Sequence, residues 1–345
     1  MREALEAYFR EALGPGTRLV EFRKLGAGVH GTGSLLEIEN GKERRICVLK
    51  GISSEGLGHD YPSDRASVFL LALDEYGNLP RHVKPIDVLS LKEDGSLRSI
   101  GGGREYFLLM EKVEGVSYFC DLKEMKGRDN LTEGDREKIA LLAAYLSRIH
   151  AVKRDSCTLY RRKIRDIIGH GECLMGVFDS YPDGVLRYEE MAEIEKRCID
   201  WRARLKPLHK RLCQVHGDFH PGNIWFQGKE LVLLDRSRGP WGDAADDVTA
   251  LTINYIFSSV RHRSTLEGAY LEALKLFFKR YRELTGDDEL LNVLGPFYAF
   301  RGAVVANPRF YPELTDGQRA KIFRFVNNVL ASERFEPEEA PDYLL

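Results

Sequence analysis

His216-Gly217-Asp218-Phe219-His220-Pro221-Gly222-Asn223, followed by Leu231-Val232-Leu233-Leu234-Asp235, is the stretch on which the reading of this chain turns. Phe219, Pro221 and Gly222 suit a tight, rigid loop rather than a helix. The four apolar residues before Asp235 predict a short buried strand that fixes a carboxylate at its end. In such a loop-to-strand hairpin Asp218 can meet an acceptor hydroxyl, while Asn223 and Asp235 converge on a divalent cation that holds a nucleotide's phosphates. Phosphoryl transfer needs alignment and charge neutralisation more than covalent help, and these three groups offer both. Two other readings share the residues. His216, Asp218 and His220 alternate as H-x-D-x-H, which on a strand would line up three ligands for zinc or iron in a metal-dependent hydrolase. Pro221-Gly222 directly afterwards favours a loop, and no H-E-x-x-H or cysteine pair supplies further ligands. Asp, Gly and Asn also cluster in turns for backbone reasons alone.

H-G-D-F-H-P-G-N followed by L-L-D resembles the catalytic loop and metal-binding segment of the aminoglycoside phosphotransferase and choline kinase group, small-molecule kinases of protein-kinase-like fold. Trp241-Gly242-Asp243-Ala244-Ala245-Asp246-Asp247-Val248 is similar to that family's G-D-P-x-x-D-L segment, with Ala244 in place of the usual Pro. On this resemblance Asp247 stands where the family has an Asp that caps the next helix and braces the catalytic loop. Taken alone, an Asp ahead of Val-Thr-Ala-Leu is also an ordinary helix N-terminal acid.

In the N-terminal third, Leu25-Gly26-Ala27-Gly28-Val29-His30-Gly31-Thr32-Gly33 lies between apolar runs, and Asn40-Gly41 marks a hairpin turn further on. Such a run is either a plain hairpin or a phosphate cradle, since glycines let backbone N–H groups approach phosphate oxygens. It is neither a Walker A motif nor a good dinucleotide fingerprint, because no Gly-Lys-Ser/Thr follows and a hairpin replaces the helix. Ile46-Cys47-Val48-Leu49-Lys50 tips the balance, because it resembles the kinase strand whose lysine grips the α- and β-phosphates. The resemblance implies Lys50, Gly26, Gly28 and Gly31 as the phosphate site for ATP or GTP. Residues 62–73 have helical apolar spacing and are similar to the kinase helix whose acid holds that lysine. Asp64 is nearest in position where the family has Glu, with Glu55 as an alternative and an N-cap role for Ser63 or Asp64 equally open. Residues 105–115 read as a buried strand ending in a Gly-punctuated turn. They resemble the hinge between kinase lobes, where backbone groups from Glu111 to Val113 read the purine edge and Met110 lines the base pocket or fills core.

The 345 residues are 43% hydrophobic and 30% charged, as in a soluble globular chain of two domains or lobes. A net charge of −2 from 51 basic and 53 acidic residues argues against nucleic acid or a membrane surface as principal partner. No apolar run approaches the ~20 residues of a membrane span. A charged amphipathic start and six sparse cysteines predict a cytoplasmic protein with reduced thiols. The expected fold is α+β, two-lobed and protein-kinase-like. Its N-lobe, residues 1–113, is β-rich after one opening helix that stops at Gly14-Pro15-Gly16, and residues 114–345 form a mainly helical C-lobe. Thr132-x-x-Asp135 resembles a capping signal for a helix through Ile139, Leu142, Leu146 and Ile149. That helix ends in a motif similar to the family's L-x-x-L-H, with His150 a hydrogen-bonded structural histidine. Arg161-Arg162-Lys163-Ile164-Arg165 reads as a solvated basic helix face.

The activity expected is Mg2+-dependent transfer of the γ-phosphoryl of ATP or GTP to a small-molecule hydroxyl acceptor, with Asp218 as catalytic base and Asn223 and Asp235 on the metal. The absence of D-F-G and A-P-E argues against a long regulatory activation loop. A nucleotide-binding pseudokinase that scaffolds partners is the alternative from another class. Arg236 and Arg238 follow Asp235, where the family often has an aromatic and an acidic residue; they steady phosphate, favour an anionic acceptor or sit at the surface. With Arg261 and Arg263 they oppose a cationic ligand. Glu333, Glu336, Glu338, Glu339 and Asp342 lie in a stretch that Pro337 and Pro341 mark as a mobile tail. The acceptor expected is therefore a small neutral or anionic metabolite, while the choice of ATP or GTP and the oligomeric state stay open.

Overall fold

The computed structural model describes residues 1–27, 31–54, 57–75, 78, 83–108 and 110–345. Gly28 and Glu55 lie outside the described residues. The chain divides into two compact units, Met1–Glu111 and Lys112–Leu345, where the sequence placed the boundary after residue 113.

In the first unit, helix α1 (Arg2–Leu13) stops at Gly14 and buries Leu5. Three strands follow, β1 (Arg18–Ala27), β2 (Gly31–Asn40) and β3 (Glu43–Ile52), antiparallel in the order β1-β2-β3. Asn40 pairs with Glu43, so Gly41 and Lys42 form a two-residue turn in which Gly41 takes φ +63°. A glycine suits that position because positive φ costs it no Cβ clash. Leu5, Leu19, Leu36, Ile38 and Leu97 form the small core. Helix α2 (Pro62–Glu75) forms as its spacing predicts, yet none of its described side chains is buried. A short hairpin of β4 (Leu89–Leu91) and β5 (Leu97–Ser99) completes the unit.

The buried strand expected over residues 105–115 does not form among the described residues. Phe107, Leu108 and Met110 are 90%, 83% and 68% exposed, so Met110 is not core filling. The apolar run alone suggested a strand, but among the described residues no neighbouring strand pairs with it, and pairing is what makes an extended segment a sheet member.

The second unit opens with β6 (Val116–Ser117), α3 (Tyr118–Glu124), α4 (Glu133–His150), α5 (Cys157–Gly169), α6 (Leu174–Asp179) and α7 (Tyr188–Leu205). Four short strands follow: β7 (Cys213–Gln214), β8 (Ile224–Gln227), β9 (Glu230–Leu233) and β10 (Trp241–Gly242). The unit ends with α8 (Ala244–Arg263), α9 (Gly268–Thr285), α10 (Gly295–Ala306) and α11 (Asp316–Ala331). Thr132 and Asp135 make the capping box of α4, with each side chain bonded to the other's backbone N–H. Helix α10 is apolar nearly all round and correspondingly buried, whereas α8 is buried over most of its length although Asp246, Asp247, Thr249, Thr252 and Asn254 are among its buried residues. Strand β8 lies between β6 and β9, and β7 pairs with β10. The loop 216–223 is thereby slung between β7 and β8, and residues 234–240 between β9 and β10. Strand β9 is half-buried rather than buried, and Leu234 lies just beyond it.

The C-terminal stretch is packed. Phe335 is 2% exposed against Phe278, Tyr298 and Tyr343, and its N–H donates to Leu291 O at 2.9 Å. Three-ten turns at Pro337–Glu339 and Asp342–Leu344 bury Ala340 and Leu344. The two prolines fit those turns, and the aromatic anchors Phe335 and Tyr343 outweigh the surrounding charge. Among the described residues no helix is long and apolar enough to cross a membrane.

Candidate active site

The loop 216–223 is held from below by one carboxylate. Asp247, in the first turn of α8, accepts the His216 N–H at Oδ2 and the Gly217 N–H at Oδ1, both at 2.7 Å. The helix cap itself is Asp243, whose side chain accepts from Ala245 N–H. Asp247 therefore braces the loop and does not cap the helix. His150 Nε2 lies 3.1 Å from Asp247 Oδ2, and its Nδ1 lies 2.7 Å from the Tyr281 hydroxyl, so His150 is the structural histidine expected. Gly217 takes φ +88° with the Arg238 Cβ and Gly239 O each 3.4 Å from where a Cβ would stand, a conformation other residues adopt only under strain. Phe219 is fully buried and stacks on Tyr145 with ring centroids 5.9 Å apart.

The zinc or iron reading fails on geometry. Residues 216–223 form a loop, not a strand, so alternation does not place the side chains on one face. His216 Nε2 donates to Leu234 O at 2.9 Å and its Nδ1 accepts the Asp218 N–H at 3.2 Å, which occupies both ring nitrogens. Among the described residues no three His, Cys, Asp or Glu side chains converge as metal ligands.

Asp218 sits at the centre of a buried ion network. Its Oδ1 accepts from Arg301 Nη1 at 2.5 Å, and Arg238 Nη2 is 3.6 Å from its Oδ2. Arg301, in the middle of α10, also donates to Gly217 O at 2.9 Å and Asp246 Oδ1 at 2.7 Å. Lys163 Nζ reaches Asp246 Oδ2 at 2.6 Å. Burial pushes the Asp218 carboxyl up, but the charges of Arg301, Arg238 and His220 outweigh it and hold the group below its ordinary value. Asp246 is likewise pushed up by burial and drawn down to about 2 by Lys163 and Arg301. Burial keeps the His220 imidazole below its ordinary value despite the pull of Asp218.

Lys163 corrects the solvated-face reading of residues 161–165. Arg161 and Arg165 are exposed as expected, but Lys163 is buried against Asp246. Of the arginines thought to oppose a cation, Arg236 donates to Val215 O and Pro240 O. Arg261 pairs with Glu313, and Arg263 with Asp129 and Glu267. Only Arg238 of these four lines the cavity described next.

That cavity, about 550 Å³, is lined by Asp218, His220, Asp235, Arg238, Asn254 and Arg301, with an apolar wall that includes Val177 and Val304. Asp235 is an exposed carboxylate on a backbone of φ +52°, a region that aspartate tolerates better than most residues and that clusters at functional sites. Asn223 Nδ2 donates to Asp218 O at 3.1 Å. A carbonyl partner requires nitrogen there, which leaves Oδ1 as the other polar atom of that amide. Asn223 Oδ1 and the Asp235 carboxylate are both hard oxygen donors, the kind a magnesium ion takes.

In the N-terminal unit, Lys50 ends the run on β3, is exposed, and pairs in register with Gly33. Gly31 pairs with Ile52, and a Cβ there would stand 2.6 Å from Gly51 O. Gly26 pairs with Gly33 beside a bulge in β1. Asp64 Oδ2 accepts the Tyr61 N–H at 2.7 Å at the start of α2, the local bond that a helix-entry acid makes. Glu111 is exposed and Val113 half-buried. Sequence reasoning missed Arg301, Lys163 and Asp246. The available signal was one charged residue inside an otherwise apolar helical run, Phe297-Tyr298-Ala299-Phe300-Arg301-Gly302-Ala303-Val304-Val305.

A family model described as the phosphotransferase enzyme family matches residues 79–284. No curated protein matches the sequence. Among solved structures, the chain is similar to amicoumacin kinase hAmiN in complex with AMP-PNP, Ca2+ and Ami, at 14% identity, with 98% of this chain and 97% of that chain covered and a TM-score of 0.42. A thermostable mutant of aminoglycoside phosphotransferase APH(4)-Ia with ADP and hygromycin B matches at 15% identity, covering 95% of this chain and 98% of that one, with a TM-score of 0.38. A choline kinase from Cryptosporidium parvum Iowa II matches at 11% identity, covering 100% and 92%, with a TM-score of 0.35. At this level of likeness no residue role carries over.

Proposed function

Because the chain belongs to the phosphotransferase enzyme family, we propose that it moves the γ-phosphoryl of ATP or GTP to a hydroxyl of a small molecule. The observation that carries this reading is that the Asp218 and Asp235 carboxylates line one cavity of about 550 Å³, a size suited to a small-molecule acceptor. Asp218 Oδ1 is taken by Arg301, and Oδ2, with Arg238 beyond hydrogen-bond distance at 3.6 Å, is the oxygen left to accept an acceptor hydroxyl. A carboxylate held below its ordinary value is a weak base. Asp218 therefore acts first as a fixed acceptor that aims the hydroxyl oxygen at phosphorus, and receives the proton late. That suits a loose transition state, in which the nucleophile is little deprotonated.

Asn223 and Asp235 would hold a magnesium ion, which when bound neutralises charge on the nucleotide's phosphate oxygens. Lys50 and the glycine-rich run with Gly26, Gly28 and Gly31 are assigned to phosphate, and Asp64 to Lys50. Backbone groups from Glu111 to Val113, beside the exposed Met110, are assigned to the base. These assignments rest on the resemblance of their motifs, and a lysine and glycines are the groups such contacts need.

The test is nucleotide-diphosphate release against amino alcohols, sugars and aminoglycosides. With an acceptor identified, Asp218→Asn lowers turnover by roughly 10²–10⁴-fold while nucleotide binding is kept. Asp235→Ala abolishes Mg2+-dependent nucleotide binding or turnover. Near-normal turnover in Asp218→Asn removes that residue from its role.

A further inference from the structure

The cavity that holds Asp218 also holds a guanidinium with donors to spare. Arg238 Nε and Nη1 are buried and have no hydrogen-bond partner among the described residues, and the same is true of Arg301 Nε. Buried donors without acceptors are rare, because the lost hydration is not offset. The two arginines also converge on one ring, with Arg301 4.5 Å and Arg238 5.2 Å from the Phe300 centroid. Like charges this close, one buried and one partly so, are eased by anions between them. Asp218 is shared by both, and Asp246 is shared by Arg301 and Lys163. Three cations thus face two carboxylates in the network. Of the other cavity carboxylates, Asp235 is assigned to the metal and Glu172 is exposed.

We propose that the acceptor is a hydroxylated anion, carrying both the hydroxyl that Asp218 orients and a carboxylate or phosphate group that docks on Arg238. The inference rests on the phosphotransferase reading above. Guanidinium groups bind carboxylate and phosphate oxygens through charge-assisted hydrogen bonds, and Arg238 lines the cavity with its side chain 21% exposed, so it offers such a group a docking point there. An ammonium group at the same place would meet two arginines instead. The apolar wall takes the remainder of a small molecule.

The experiment uses matched compounds that differ in one group: glycerate, glycerol phosphate, glycerol and aminopropanediol, then gluconate, glucose phosphate, glucose and glucosamine. Binding is measured by calorimetry with and without AMP-PNP and Mg2+, and turnover by nucleotide-diphosphate release. The anionic members bind roughly 10- to 100-fold more tightly than the neutral and amino members, the size of one charge-assisted contact. The carboxylate and phosphate arms tell which oxyanion is preferred. Arg238→Met removes the preference while the AMP-PNP Kd stays within about twofold, and Arg238→Lys, which keeps the charge, retains part of it. Preference for neutral or amino compounds, or failure to bind any of the anions, overturns the proposal. So does a loss of AMP-PNP affinity in Arg238→Met, which would assign the arginine to the nucleotide. If the protein neither binds AMP-PNP nor releases nucleotide diphosphate, the phosphotransferase reading fails. Anion binding without nucleotide, lost in Arg238→Met, would still stand apart from that failure.

Discussion

Asp218 depends on Arg301 for its ionisation. The arginine is 4% exposed and satisfies two carboxylates and one backbone carbonyl, so removing it takes a buried partner from Asp218 and leaves Asp246 with Lys163 alone. Arg301→Met is expected to destabilise the protein by about 3–5 kcal/mol in urea unfolding, the usual cost of breaking a buried ion pair from one side. It also moves the pH profile. In the native protein Asp218 stays ionised as pH falls through the ordinary aspartate value of roughly 3.9, because its carboxyl is held below that range. The acid limb of kcat/KM due to this group therefore lies below it. Without Arg301 the upward push of burial is less opposed, and the limb shifts to higher pH. An unchanged acid limb in a variant that still folds would show that Arg301 does not set the ionisation.

At the scale of elements, α10 places Arg301 by packing closely on α11. The residue after it is Gly302, where a Cβ would stand 2.3 Å from Val326 Cγ2 on α11. Both helices are buried along this contact, so the extra methyl has no room. Gly302→Ala is expected to destabilise by about 1–3 kcal/mol, the common cost of overpacking. Val326→Ala in the same chain opens space and recovers part of the loss, a coupling that a double-mutant cycle reads. Purely additive effects would mean the helices do not meet as described. Helix α5 makes a related point. Its basic run divides around the helix, and the one member turned inward, Lys163, finds Asp246.

Across the second unit, several buried carboxylates share one electrostatic habit. Asp246 is drawn down to about 2, and Asp218 and Asp243 are also held below their ordinary value; for Asp243, Arg211 outweighs burial. A lowered folded pKa means stability that is present above the unfolded value of about 3.9 and lost as pH falls through the folded one. Asp246 alone contributes on the order of 2–3 kcal/mol at neutral pH on that basis. Stability is thus expected to be flat from neutral pH to about 4 as far as these groups decide it, then to fall steeply toward about 2. Calorimetric melting across that window checks it, and a decline centred well above the aspartate range would contradict it. The C-terminal stretch adds a second test. Phe335→Ala removes a ring that meets Phe278, Tyr298, Phe325 and Tyr343, and costs about 3–5 kcal/mol. A mobile tail would lose almost nothing.

Residue order alone carried the local features. The loop 216–223, the stop at Gly14, the Asn40-Gly41 turn, the Thr132 capping box and the α+β class each follow from side chains within a few positions of one another. Turn chemistry, capping and apolar period are short-range, so they survive without knowledge of the fold. The resemblance of the Asp218 loop to a phosphotransferase family was legible for the same reason, and the family match agrees with it. Tertiary structure decided what depends on distant partners. Asp218 meets an arginine from α10, and Asp246 a lysine from α5, across 83 residues in each case. A basic run turned one lysine inward onto Asp246, the run at 105–115 forms no strand among the described residues, and a charged tail was pinned by aromatic rings. Whether a charge is solvated or buried is set by what the rest of the chain places beside it, and desolvation and Coulomb energy in that setting outweigh local preference.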